Sequence, residues 1–260
     1  DRNASVFYLD PFGKDIMDSI IPNLSEEELK RVVMINPDDP DMIIGMNIMA
    51  PQELALVQSE QERIDLEERI KSQMNYQGAV LQKIGDDLFE TLKYITESTS
   101  GTGTAYAGAR ILTNITKGIK VVGMWRNANL VDLSYLFTFK NSRQKLKSMM
   151  ATTDITTQGF LELLNQYKPD ELHSTVRLID SITDSDALRR ILCTRNFKAS
   201  MLKFINEKKI VLITAGANTT QNSMRVLLSS MISMIYVAGT SPERDPTTSI
   251  YIFADEFQEY

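Results

Sequence analysis

Ile250-Tyr251-Ile252-Phe253-Ala254-Asp255-Glu256 is the stretch on which the fold turns. An apolar, β-favouring run proceeds without alternation and stops at two adjacent carboxylates. Such a run is the pattern of a strand in a parallel sheet covered on both faces. Three other stretches share it. Val6-Phe7-Tyr8-Leu9 stops at the turn cluster Asp10-Pro11-Phe12-Gly13, and Val32-Val33-Met34-Ile35 stops at Asn36-Pro37-Asp38-Asp39-Pro40. Ile210-Val211-Leu212-Ile213 stops before Ala215-Gly216-Ala217-Asn218. Helix-like segments join them, over Lys14 to Ile21, over Ser25 to Arg31 with Ser25 and Glu28 at capping-box spacing, and over Thr220 to Ala238. Strand, helix, strand at this spacing predicts βαβ units and an α/β layer built on one largely parallel sheet.

Between Pro51 and Phe204 the β signal nearly vanishes. Leu56, Ile64, Ile70, Met74 and Leu81 lie in a long polar–apolar pattern at helical spacing. Leu130 to Phe139, Ile155 to Tyr167, Glu171 to Ile182 and Ala187 to Cys193 continue helix-like between polar clusters, and residues 98–104 read as a loop. The chain therefore divides into residues 1–50 as the first part of an α/β core, 51–204 as an all-helical insert, and 205–260 as the second part of the core.

Composition narrows the chemistry. Of 260 residues, 43% are hydrophobic and 24% charged, a globular balance. Lys and Arg number 28 against 34 Asp and Glu, a net charge of -6, which excludes a chain built mainly for electrostatic binding of nucleic acid. Cys193 is the only cysteine and His173 the only histidine, so an intramolecular disulfide, a cysteine zinc site and a multi-histidine metal centre are all excluded. No apolar run reaches the ~18 residues of a membrane span, and the opening Asp1-Arg2-Asn3 is no signal peptide. The expectation is a soluble protein of a reducing compartment, hence cytoplasmic.

An apolar strand ending in Asp-Glu is the Walker B pattern of P-loop ATPases. The strand pushes its first carboxylate out at the sheet's C-terminal edge, where open α/β sheets bind ligands. There Asp255 is the candidate ligand for Mg²⁺, held through water beside the phosphates of ATP, and Glu256 the candidate general base for the attacking water. Asp10, which ends the first run, is expected at the same edge and is the candidate cofactor-binding group. The competing reading is an ordinary strand that ends at two solvated carboxylates. The companion motif, Gly-x4-Gly-Lys-Ser/Thr, is missing from this sequence, since Gly13-Lys14-Asp15 lacks both the first glycine and the hydroxyl. The other candidates favour plain roles: Cys193 a buried thiol, His173 a solvated side chain, and Trp125 a core residue. The basic stretch Lys140, Arg143, Lys145, Lys147 reads as a solvated helix face.

Tyr8-Leu9-Asp10-Pro11-Phe12-Gly13-Lys14-Asp15, then Val33-Met34-Ile35-Asn36-Pro37-Asp38-Asp39 and Gly45-Met46-Asn47, resembles the segment after the Walker A helix in HerA/FtsK-like DNA-translocating ATPases and their conjugative relatives, the type IV secretion coupling proteins. Phe12 stands where that family usually has His. Gly108-Ala109-Arg110 resembles the family's Gly-x-Arg helix start. Lys208-Lys209-Ile210-Val211 resembles its Gly-Lys-Ile-Val strand, with Lys208 in place of Gly, and Asp255-Glu256-Phe257-Gln258 resembles its Asp-Glu-Phe-Gln ending. The order matches over almost the whole chain. The resemblance implies an incomplete RecA-like P-loop ATPase core, with Walker A before Asp1 and the sensor glutamine and arginine finger beyond Tyr260. It further implies ATP and Mg²⁺ as cofactors, DNA as partner and a hexameric ring. Secretion or DNA-processing partners would meet the helical insert, and membrane association would come through an N-terminal segment. The alternative is a non-catalytic partner- or DNA-docking module built on a degenerate ATPase fold.

Overall fold

In the computed structural model, which describes residues 3–39, 43–73, 79–99, 105–149, 155–216 and 219–256, the four apolar runs lie in one sheet. The strands are β1 (Ala4–Asp10), β2 (Val32–Ile35), β3 (Ile210–Thr214) and β4 (Ser249–Ala254). Their order is β2-β3-β1-β4, and every pairing is parallel. The register sets Val6 level with Ile210 and Tyr251, and Leu9 level with Ile213 and Ala254. All four C-terminal ends therefore open on one edge. Strands from opposite ends of the chain pair directly, so the helical stretch between β2 and β3 is one long crossover.

Period-2 alternation gives each strand two faces. Val6, Tyr8, Val32, Met34, Ile210 and Leu212 point to one side, where Ile16, Ile20, Ile21 and Leu24 of the β1–β2 crossover cover them. That crossover is a π-helical turn at Ile16–Ile20 and a 3-10 turn at Ile21–Asn23, not the regular helix that the pattern predicts. Pro22 supplies no N–H to continue an α-helical ladder. A short helix α1 (Glu26–Leu29) follows, opened by both bonds of the Ser25–Glu28 capping box.

The other face, with Phe7, Leu9, Ile35, Val211 and Ile213, packs into a large apolar cluster shared with the helical stretch. The helices are α2 (Glu60–Lys71), α3 (Leu81–Thr99), α4 (Ala105–Gly123), α5 (Leu130–Thr138), α6 (Lys140–Met149), α7 (Ile155–Gln166), α8 (Pro169–Thr183), α9 (Asp186–Leu192) and α10 (Met201–Asn206). After β3 comes α11 (Gln221–Gly239), which Thr220 caps through the Ser223 N–H. None of the helices among the described residues is long and apolar enough to cross a membrane.

Two sequence expectations change here. Only β1 and β3 have neighbours on both sides. β4 is an edge strand, and Tyr251, Ile252 and Phe253 are 45%, 48% and 52% exposed, so the expectation of a strand buried on both faces fails for it. The β1–β2 crossover stops over β1 and leaves Tyr251 and Phe253 open. The long amphipathic pattern from Leu56 to Leu81 also divides, into α2 and α3, with Met74 outside the described residues. The buried face of α2 carries charge: Arg63, Glu67 and Lys71, spaced one turn apart, are all buried. Backbone groups answer them. Arg63 donates to the carbonyls of Leu54, Arg195 and Phe197 and lies over the Phe197 ring. Glu67 accepts from the Asn127 N–H and pairs with Lys71 at 2.7 Å, and Lys71 also donates to the Trp125 carbonyl.

Two further positions tie the crossover to the helices. Asn47, almost fully buried, donates to the Ala128 carbonyl at 2.7 Å and accepts from the Met49 N–H. A Cβ on Gly45 would collide with the Thr194 side chain, which explains the glycine two residues before it. Lys208, at the entry to β3, has φ 55, and its carbonyl accepts from Arg31 Nε at 2.7 Å. A left-handed backbone there suits glycine better than the lysine that occupies it.

Candidate functional site at the sheet edge

The C-terminal edge is assembled by the strand ends themselves. β1 delivers Asp10, and β4, one position away, delivers Asp255 and Glu256. The Asp255 N–H donates to the Leu9 carbonyl at 2.9 Å, which extends the β1–β4 ladder by one residue and sets Asp255 beside the start of the Asp10 turn. Glu256 then adopts φ 48, a left-handed conformation that few non-glycine residues take, and it turns the chain off the strand. Asp255 is half-buried and Glu256 exposed.

Asp10 differs from both. It is buried, and its carboxylate accepts four backbone N–H groups: Phe12 at 3.0 Å and Gly13 at 2.9 Å on one oxygen, Asp15 at 2.9 Å and Ile16 at 3.2 Å on the other. Those are the donors that a turn and a helix start leave orphaned, so Asp10 holds the loop together. Its oxygens are engaged by that loop, which leaves them poorly placed for a cofactor. Gly13 has φ 71, and a Cβ there would meet Thr214 Oγ1 at 2.8 Å, so the loop closes tightly against the end of β3. The Ala215 N–H donates across to the Pro11 carbonyl at 3.3 Å.

Tyr8, two residues before Asp10, has a phenol pKa raised first by burial and then by the negative charges of Asp255, Asp15 and Asp10. Its ring lies 6.4 Å from that of Phe253. The edge is thus an aromatic pair rimmed by acids, with Lys14 and Phe12 exposed on the same loop. Sequence reading passed over Tyr8 and Asp15. The signal for Tyr8 was its position in the run, since alternation puts residues 8 and 10 on one face.

Beside β2 and β3 the edge carries one more acid, Asp38. The Asp38 N–H donates to Asn36 Oδ1 at 3.0 Å, and a Cβ on Gly216, at φ 79, would collide with the Asp38 carboxylate. Thr219 Oγ1 lies 3.5 Å from the same carboxylate. Among the described residues no group of three or more His, Cys, Asp or Glu side chains could hold a metal ion.

The remaining candidates fall elsewhere. Cys193 is buried, with its thiol pushed up to about 12, chiefly by burial. His173 is exposed on α8. Trp125 packs against the main core. The basic stretch on α6 is only partly a solvated face: Arg143 turns inward to the Leu136 and Phe137 carbonyls and to Asn165, while Lys147 pairs with Glu162 at 2.7 Å. Arg110 of the Gly108-Ala109-Arg110 stretch bridges α4 to α8 through Glu171. Phe257 and Gln258, and residues 100–104 of the expected loop, lie outside the described residues.

By fold the chain is an α/β protein with a four-stranded, all-parallel sheet and a long helical crossover. Comparison with protein families, with curated proteins and with solved structures finds no match.

Proposed function

We propose that the chain is the Walker B half of an ATP-hydrolysing, DNA-translocating motor of the HerA/FtsK-like or conjugative coupling-protein type, with a RecA-like core. One observation carries the reading. Asp255 and Asp10, far apart in sequence, end neighbouring parallel strands on the same edge of one sheet, joined through the Asp255 N–H and the Leu9 carbonyl. Had the two acids lain at opposite ends of the sheet, the Walker B assignment would have ended there.

In this reading Asp255 is the residue that would hold Mg²⁺ through water, and the cation would neutralise phosphate charge on ATP. Glu256, turned off the strand end into solvent, accepts the proton of the attacking water. Asp10 shapes the loop by accepting four of its backbone N–H groups. The phosphate loop that the chemistry needs is not in this sequence, so turnover belongs to a protein that carries both halves, working as a homo-oligomeric ring on DNA. The helical stretch is the surface for secretion or DNA-processing partners.

The test is ATP hydrolysis, with and without duplex DNA, by the gene product that contains this chain together with a phosphate loop. Hydrolysis stimulated by DNA is expected. If the gene encodes no phosphate loop, or if hydrolysis is absent, the non-catalytic docking module takes its place.

A further inference from the structure

We propose that α2 is a strap that opens and closes as a unit, with the Arg63–Glu67–Lys71 ladder as its catch. The proposal does not rest on the ATPase reading.

A helix on the surface of a domain ordinarily docks through an apolar stripe. α2 does the reverse. Its buried residues are Arg63, Glu67 and Lys71, whereas Ile64, Leu66 and Ile70 are only half-buried. Leu66 touches a small apolar cluster of Ala50, Leu54, Ala55 and Phe197, and Ile70 the rim of the main one. The ladder itself reaches backbone: Arg63 donates to the Leu54, Arg195 and Phe197 carbonyls, Lys71 to the Trp125 carbonyl, and Glu67 accepts from the Asn127 N–H.

A contact of this kind is selective and weak. The cost of withdrawing Glu67 and Lys71 from water roughly offsets what their pairing returns. Burial lowers the pKa of both Arg63 and Lys71 in spite of the Glu67 charge, so both cations are held at a cost. Arg63 Nε is buried with no hydrogen-bond partner among the described residues, a cost that opening removes. Selectivity comes from position, since the ladder meets its three sets of backbone partners in one register only.

The surface beneath is built without α2. Asn47 donates to the Ala128 carbonyl, and Asn129 to the Cys193 carbonyl at 2.8 Å. Arg195 donates to the Asn127 carbonyl at 2.9 Å and to Asp132 at 2.6 Å. These bonds fix the turn at 125–129 against the loop at 193–197. The chain ahead of α2 is anchored too, because buried Gln52 donates to the Met234 carbonyl and accepts from the Leu202 N–H. α2 also carries its own helix signals. Ser59 caps it through the Glu62 N–H, Gln61 bonds Asp65 one turn on, and acids open the helix while Arg69 and Lys71 close it. The strap therefore lifts from a preformed seat and returns to it. Closed, it covers the small cluster; open, it uncovers Leu54 and Phe197.

The experiment is native-state hydrogen exchange of the 260-residue chain across a urea series below global unfolding. We expect the Glu67 to Ser72 amides to share one opening, about 100-fold or more less protected than the β3 amides and with a shallower urea dependence. Lys71→Met should lower that protection about 100-fold further, and Glu67→Leu combined with Lys71→Met should restore most of it. In a Cys193→Ala background, Leu54→Cys should react with a maleimide in step with the same opening. The parent chain decides the matter even where Lys71→Met does not fold. If the α2 amides follow the β3 amides through the whole urea series, α2 is part of the core and the proposal is overturned. Amides that exchange one by one, with no common opening, would mean fraying and would overturn it as well. So would a thiol at position 54 that stays unreactive while the α2 amides exchange.

Discussion

β3 and β4 are nearly interchangeable as sequences, Ile-Val-Leu-Ile against Ile-Tyr-Ile-Phe, yet they occupy opposite situations. Every residue of β3 is buried, whereas the middle of β4 stands about half exposed. The difference lies in what surrounds each strand: β3 has β2 and β1 beside it and a covering layer on each face, and β4 has β1 alone. The same contrast holds where the strands end. Asp10 is enclosed by the N–H groups of its own loop, whereas Asp255 is half-buried and Glu256 exposed. An apolar run ending in acid therefore specifies a strand, and its neighbours decide whether the acid is enclosed as a structural cap or left towards the surface.

The sharpest way to break this contrast is to truncate one side chain in each strand. Ile213→Ala removes a fully buried side chain from the main cluster and should cost about 3–4 kcal/mol of unfolding free energy. Ile252→Ala should cost under about 1 kcal/mol, because that side chain keeps half its surface in water. Equal losses by urea denaturation would mean that β4 is covered in solution.

Lys71→Met tests the charged face of α2. It strands the buried Glu67 carboxylate and should cost about 3 kcal/mol, while Glu67→Leu combined with Lys71→Met should recover most of the loss. Lys147→Ala breaks an exposed pair of the same length and should leave no resolvable change.

At the strand ends, Asp10→Ala orphans buried loop N–H groups and should destabilise by about 2–3 kcal/mol. Asp255→Ala should stay within about 0.5 kcal/mol. A reversal of that order would exchange the roles assigned to the two acids.

A pH dependence is expected as well. The Cys193 thiol is raised to about 12 in the fold against an ordinary value near 8.5–9, so folding favours the neutral form. Its contribution is complete below about pH 8.5 and is lost as pH climbs towards 12. The stability difference between the parent chain and Cys193→Ala should therefore shrink by at most about 1.4 kcal/mol per pH unit in that window and stay flat below it. A difference that stays flat throughout would contradict the burial of the thiol.

Much of the fold was legible because it rests on local signals. The four apolar runs, the Ser25–Glu28 capping box and α11 with its Thr220 cap stand where the patterns put them. The exposure of β4 was not legible, because it depends on which strands stand beside it. The charged face of α2 was hidden for a related reason: Arg63, Glu67 and Lys71 are answered by backbone groups of distant loops, and backbone groups leave no mark in a sequence. At the site, the shared edge of Asp10 and Asp255 followed from parallel pairing, while the saturation of Asp10 depended on the fold of the five residues after it.

In the function we propose, Glu256 acts on the reacting water, and most of the ATP-binding energy comes from a phosphate loop outside this sequence. The direct measurement is Glu256→Gln in the gene product that carries both this chain and a phosphate loop, with Mg-ATP affinity and steady-state hydrolysis measured on the same preparation. The account predicts unchanged affinity and a fall in kcat of about 10²–10⁴-fold. Unchanged kcat would contradict it.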